Sequence, residues 1–159
     1  MNNSGEIVLD VACGPSKVNP SYIGIDQTLF PGVDIQRDVL RGLPFHDNFA
    51  DGIVCRHFLE HIDGEDLLFI INEFWRVSKP GASWQIVVPD HTSPNMAKDP
   101  LHKKKDWQEL SFQFWEIGPD GNWKIFAGPA YGRKAKLHLA GTAINGNRDR
   151  SYGLKVIKP

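Results

Sequence analysis

Cysteine is scarce in this chain of 159 residues, where only Cys13 and Cys55 occur. Both sit in apolar, strand-like surroundings, which argues against a disulfide framework or a cysteine-based zinc site and predicts buried free thiols. An excess of charge of one sign is also missing. The formal net charge of −1 gives no electrostatic pull toward nucleic acid or an anionic membrane. No apolar run is long enough to span a bilayer, and the N-terminal MNNSGEIVLD lacks a secretion-signal pattern. The expected location is the cytoplasm. Repeats and low-complexity blocks are absent too, which excludes solenoids and fibrous arrays.

What is present is ordinary globular composition, with 41% apolar and 23% charged residues. The length suits one domain, residues 1–159, around a single core. EIVLDV (6–11), YIGID (22–26), VDIQRDV (33–39), DGIVC (51–55) and SWQIVV (83–88) read as strands. Asp63 reads as a helix N-cap, followed by Leu67, Leu68, Ile70, Ile71, Phe74, Trp75 and Val77 at helical spacing. Lys79-Pro80-Gly81 is expected to stop that helix. Further on, a helix is expected over Asp106–Glu116, strands at 134–140 and 152–157, and turns at GPDGNW and INGNRDR. The aromatic cluster of Phe112, Phe114, Trp115, Trp123 and Phe126 is read as core or pocket lining.

Strands separated by helices predict an α/β fold with a Rossmann-like, mainly parallel sheet and an antiparallel C-terminal edge. The links before residue 50 are too short for ordinary parallel crossovers. Either the helices there are pared to turns, or an early strand is misassigned.

In such a sheet, ligands bind beyond the carboxyl ends of the strands. The first strand ends in D-V-A-C-G-P-S, whose small residues allow close approach to the backbone. Asp26, at the second strand end, can accept from a ribose diol, and Asp38 from an adenine amino group.

The order of these features resembles the class I S-adenosylmethionine-dependent methyltransferases, in particular the methyltransferase type 11 group, in a shortened form. LDVACGPSK is similar to the family motif LDxGCGxG, and YIGID to its second strand with the ribose acid. RDVLRGLPFHDNFADGIVCRHFLEHI and EFWRVSKPGASWQIVVPD resemble the stretches that follow, and DPLHK extends the likeness to about residue 102. The resemblance implies S-adenosylmethionine as cofactor, S-adenosylhomocysteine as product, and methyl transfer. A methyltransferase of this size lacks an added recognition domain, which favours a small-molecule acceptor or an exposed group on a larger partner. It assigns Asp10, Ala12, Cys13 and Gly14, with Pro15 in the same turn, to the methionine and ribose side. Asp26 and Gln27 would meet the ribose hydroxyls and adenine edge, Asp38 and Val39 the adenine amino group, and Arg56 and His57 the methionine portion. The cofactor half is then about 1–90 and the acceptor part about 91–159. Ala12 stands where glycine is usual, Ser16 replaces the last glycine, and the following helix must fit within about Lys17–Ser21.

His91, His57 and Asp90 are the candidates for a general base. His102 with Lys103–Lys105 is read as a solvated basic face, with binding of an acidic substrate as the alternative. HFLEH (57–61) has the H-x-x-E-H form that holds zinc when it is helical. Here Asp63-Gly64 looks like a fresh helix start, so no metal is expected and His61 is read as a core-edge side chain bonded to backbone. An NAD site is disfavoured because the third glycine and the more distant acid are lacking. Two further expectations are a homodimer over a thinly covered sheet face and, as the alternative function, a non-catalytic module that binds a protein through that side.

Overall fold

The computed structural model describes residues 5–103, 106–108, 111–120, 122 and 132–159. Trp123, Phe126, Lys104, Lys105 and part of the GPDGNW turn, all singled out from the sequence, lie outside the described residues.

Seven strands form one sheet in the order β3-β2-β1-β4-β5-β7-β6. They are β1 (Val8–Val11), β2 (Ile23–Asp26), β3 (Ile35–Gln36), β4 (Ala50–Arg56), β5 (Ser78–Pro89), β6 (Leu137–Ile144) and β7 (Asp149–Val156). The first five run parallel, and β7 and β6 add antiparallel at one edge. The expected architecture is present. The early strands are correctly assigned, and the links 12–22 and 27–34 carry no helix at all. The crossover layer on that side has been reduced to turns.

Strand pairing aligns Leu9, Ile53, Trp84 and Leu154 on one face, and all four are buried. Helix α1 (Gly64–Val77) covers this face through Leu67, Ile70, Ile71, Phe74 and Val77, with Phe74 edge-on to Trp84 at 5.8 Å. Burial of these side chains, roughly 1.5–3 kcal/mol each, fixes the helix on the sheet. On the opposite face Ser83 and Gln85 remain exposed. Asp63 occupies the N-cap position, but its carboxylate bonds Lys103 at 2.7 Å and does not cap the helix.

The helix does not need Lys79-Pro80-Gly81 to stop it. It ends at Val77, where the Ser78 hydroxyl donates to the Phe74 carbonyl at 2.7 Å and accepts from Trp84 Nε1 at 2.8 Å. Chain 79–81 already belongs to β5 and forms an irregularity against β4, with Gly81 at φ +75°. The LPF segment is tied to α1 by one pair. Glu73 accepts from Leu43 N, while Arg76 donates to the Leu43 and Phe45 carbonyls.

Among the described residues of 106–116 the predicted helix does not form, and a 3₁₀ turn, Ser111–Trp115, is found instead. Tertiary partners take up the preceding backbone instead: His91 N donates to Trp107 O, and the Tyr152 hydroxyl donates to Gln108 O. Trp107, Phe112 and Trp115 pack into the core around Tyr152, so this part of the aromatic cluster is core. Helix α2 (Pro94–Lys98) is short and lies between β5 and this segment. Cys13 and Cys55 are free and buried.

Candidate functional site

Strand order reverses between β1 and β4, and each tip near that point contributes a wall residue. Ala12 follows β1, Asp26 and Gln27 end β2, Asp38 and Val39 follow β3, and His57 follows β4. Together with Arg37, Leu40, Phe58, His61 and Ile62 they line a cavity of about 380 Å³. Six of the eleven cofactor residues expected from the sequence therefore meet in one hollow. Asp10, Cys13, Gly14, Pro15 and Arg56 do not line it. Leu40, Phe58 and Ile62, its apolar wall, were missed; the only signal was their adjacency to Val39 and His57.

The residues outside the hollow have other positions. Gly14, at φ +57°, donates its N–H to Asp26 Oδ2 at 2.9 Å and so locks the turn to the β2 tip. Asp26 Oδ1 accepts from Thr28 N at 2.9 Å. A carboxylate offers about four acceptor positions, so each oxygen keeps one for a ligand diol. Asp10 is buried beneath the turn. Its Oδ2 accepts from Val18 N at 2.6 Å, while Oδ1 has no partner among the described residues. Burial raises its pKa, against the Val18 bond and the charges of Arg56 and Lys17. Arg56 donates to the Ser16 carbonyl at 2.7 Å and has a buried Nε without a partner among the described residues. The Cys13 thiol points toward Gly24, where an added Cβ would lie 3.0 Å from the sulfur. Burial pushes that thiol's pKa up.

Asp38 caps the following turn by accepting from Leu40 N at 3.0 Å. Arg37 spends its guanidinium on the Arg41 and Gly42 carbonyls, which stiffens this wall.

The donor set fits an adenosine ligand bearing an amino-acid tail. Two acceptors, Asp26 and Asp38, flank an apolar wall. The orphaned Asp10 carboxylate oxygen beside the small-residue turn suits a cationic ammonium.

Ala12 departs from what its methyl group would tolerate cheaply. Its φ is +54°, in the left-handed region that costs a non-glycine residue roughly 1–2 kcal/mol. Ala12→Gly should relieve this, offset by about 0.5–1 kcal/mol of added unfolded-state freedom. The expected net gain of up to about 1 kcal/mol would raise Tm by roughly 1–4 °C. Cofactor affinity should rise as the methyl leaves the cavity wall. A lower melting temperature by calorimetry would contradict this account of the turn.

His57, also left-handed at φ +52°, is half exposed. Its Nδ1 lies 3.6 Å from Glu60 Oε1 and its Nε2 3.9 Å from Asp149 Oδ2. The Glu60 carboxylate is the main cause raising its pKa, against desolvation. His57 and His61 also border a second cavity, of about 530 Å³, with Glu60, Asn95, Lys98, Asp99, His102 and Asp149. His57 therefore stands on the wall between two hollows.

The other base candidates fare differently. Asp90 is buried, and the expectation that it could take a proton is corrected. Burial would raise its pKa, but bonds from Thr92 and Arg150 outweigh that and hold it at about 2. His91 lines neither cavity; its Nδ1 lies 3.2 Å from Asp90 and its side chain is exposed. HFLEH does not form a helix. Only Leu59–His61 is a 3₁₀ turn, and His57 precedes it with a left-handed backbone. His61 Nδ1 faces the Leu101 carbonyl at 3.4 Å, as the backbone-bonded reading expected. His102 is buried, not part of a solvated face, and its ring lies 4.7 Å from that of His61.

Residues 9–85 match the methyltransferase domain family. No curated protein matches the chain. Among solved structures, a SAM-dependent methyltransferase from Aquifex aeolicus aligns at TM-score 0.63 and 16% identity, covering 96% of this chain and 83% of that one. One from Archaeoglobus fulgidus aligns at TM-score 0.62 and 20% identity, covering 94% and 86%. Haemonchus contortus phosphoethanolamine N-methyltransferase 1, in complex with phosphoethanolamine and S-adenosylhomocysteine, aligns at TM-score 0.68 and 9% identity, covering 97% of this chain and 39% of that one. At these identities the structural likenesses establish the fold.

Proposed function

We propose that this chain, whose residues 9–85 match the methyltransferase domain family and whose fold is that of solved SAM-dependent methyltransferases, is an enzyme of the class I S-adenosylmethionine-dependent kind that methylates a small-molecule acceptor. S-adenosylmethionine is the cofactor, and it supplies a methyl group on a sulfonium, an excellent leaving group.

The observation that carries the reading is the meeting of Ala12, Asp26, Asp38 and His57 around one hollow at the strand reversal. In this reading Asp26 binds the ribose hydroxyls and Asp38 the adenine edge. Val39, Leu40 and Ile62 shield the base from water. Asp10 and Arg56 lie beneath the turn, outside the hollow, and hold its backbone through Val18 N and the Ser16 carbonyl. The second cavity receives the acceptor, so that holding both partners in line supplies roughly 7–11 kcal/mol of the barrier. No covalent intermediate on the protein is needed.

Where the acceptor carries a proton, His57 is the base in this reading, because it borders both hollows. His57→Gln should lower turnover by roughly 10²-fold or more, a larger loss than its effect on cofactor affinity. Equal turnover in the variant would remove His57 from the chemistry.

The first experiment is calorimetry of the full chain with S-adenosylmethionine and S-adenosylhomocysteine. Saturable binding of both at one site per chain is expected. Absence of binding would leave the second reading, a non-catalytic module that docks a protein, or a second copy of itself, on the sheet face where Ser83 and Gln85 are exposed. Sedimentation of the free chain then tests whether that face self-associates.

A further inference from the structure

Glu60 presents a problem that the cofactor reading does not solve. Its carboxylate is buried at 0% exposure, and neither oxygen has a hydrogen-bond partner among the described residues. A buried carboxylate without hydrogen bonds costs several kcal/mol. His57 approaches only Oε1, at 3.6 Å, beyond hydrogen-bond reach.

Two imidazoles stand beside it. Donor atoms of Glu60, His61 and His102 all lie within 4.8 Å of one another, and all three residues line the second cavity. Each ring already has a partner on one nitrogen. His61 Nδ1 faces the Leu101 carbonyl at 3.4 Å, and His102 Nε2 faces Asp99 Oδ2 at 3.4 Å. His102 Nδ1 is buried without a partner among the described residues. A carbonyl or carboxylate on one imidazole nitrogen, with the other nitrogen presented inward, is the outer-shell arrangement that orients metal-binding histidines.

We propose that Glu60, His61 and His102 bind a divalent transition-metal ion, zinc by preference, at the floor of the second cavity. Two imidazoles and a carboxylate select zinc or a neighbouring first-row ion over magnesium and calcium. Ligand bonds of about 2.0–2.2 Å draw the three donors together by side-chain rotation. The three ligands leave a coordination position facing the cavity, for water or a donor atom of the acceptor; that last role alone rests on the function proposed above. The metal pairs His61 with His102, not with the His57 of the HFLEH motif.

The test uses the full chain, stripped with chelator, freed of any affinity tag and titrated with Zn²⁺ without cofactor. One tight equivalent per chain is expected, with a visible d–d spectrum when Co²⁺ replaces Zn²⁺. His102→Ala and Glu60→Gln should each weaken binding by more than about 100-fold, and Asp99→Asn by about 10-fold. His91→Ala, at a residue that lines neither cavity, should retain the wild-type affinity. Circular dichroism of the metal-free variants reports whether each still folds, and Asp99→Asn, which keeps all three ligands, provides the readout if one does not. Absence of a tight equivalent, affinity unchanged in His102→Ala, or loss of the metal in His91→Ala would each overturn the site. None of these outcomes depends on methyl transfer, so failure here is distinguishable from failure of the methyltransferase reading.

Discussion

Asp26→Ala is expected to weaken S-adenosylhomocysteine binding by roughly 10²–10⁴-fold in calorimetry. The arithmetic rests on the lone pairs that its two oxygens keep after accepting from Gly14 N and Thr28 N. Two ribose hydrogen bonds to a charged acceptor are worth roughly 1.5–3 kcal/mol each, and each 1.4 kcal/mol is tenfold in affinity. The substitution also releases the Gly14 N–H, so the turn loses its anchor to the β2 tip. Asp26→Asn keeps one acceptor oxygen and should fall between the variant and the wild type. Affinity within threefold of wild type in Asp26→Ala would mean that the ligand lies elsewhere.

The largest expected loss of stability comes from Arg150→Met, at about 3–5 kcal/mol, the usual cost of removing one partner of a buried ion pair. Arg150 Nε donates to Asp90 Oδ2 at 2.6 Å, across the junction of β5 and β7. Without it, the buried Asp90 carboxylate keeps its Thr92 donors and the His91 ring at 3.2 Å, but no permanent cation. Tm should drop by roughly 6–20 °C. The same pair sets an acid limit. The folded pKa of Asp90 is about 2, below the ordinary 3.8. A depressed carboxylate contributes stability that is fully present above its unfolded pKa and is lost as pH falls through the folded one. The contribution of about 2 kcal/mol should therefore disappear between about pH 4 and pH 2. Asp90→Asn should flatten that part of the denaturation profile relative to wild type, leaving the smaller slopes of Asp34, Asp51 and Glu73, whose pKa values are also lowered. An unchanged slope would assign the acid sensitivity to those groups.

The legible features were those fixed by short stretches of chain. β-Branched runs such as Val8–Val11 and Ile23–Asp26 can satisfy their backbone only in a sheet when buried, and they appear as read. The helical spacing from Leu67 to Val77 gave α1 for the same reason. Asp26 and Asp38 were recognisable because a strand tip is a local event. Segments whose conformation depends on remote partners were misread. Chain 106–108 has a helical pattern, yet Tyr152 and His91 draw its carbonyls into tertiary bonds. Asp90 looked like a free acid at a strand end until β7 delivered Arg150, a residue sixty positions away.

The amino-acid order alone determined the sheet, its parallel-to-antiparallel change and the acids at the strand tips, since periodicity and turn chemistry act over a few residues. Only the folded chain decided which side chains share a hollow. His102 joined His61 and Glu60, His57 turned to the wall between two cavities, and His91 faced away. Those outcomes follow from packing distances and backbone angles at chain crossings, which no neighbouring residue encodes.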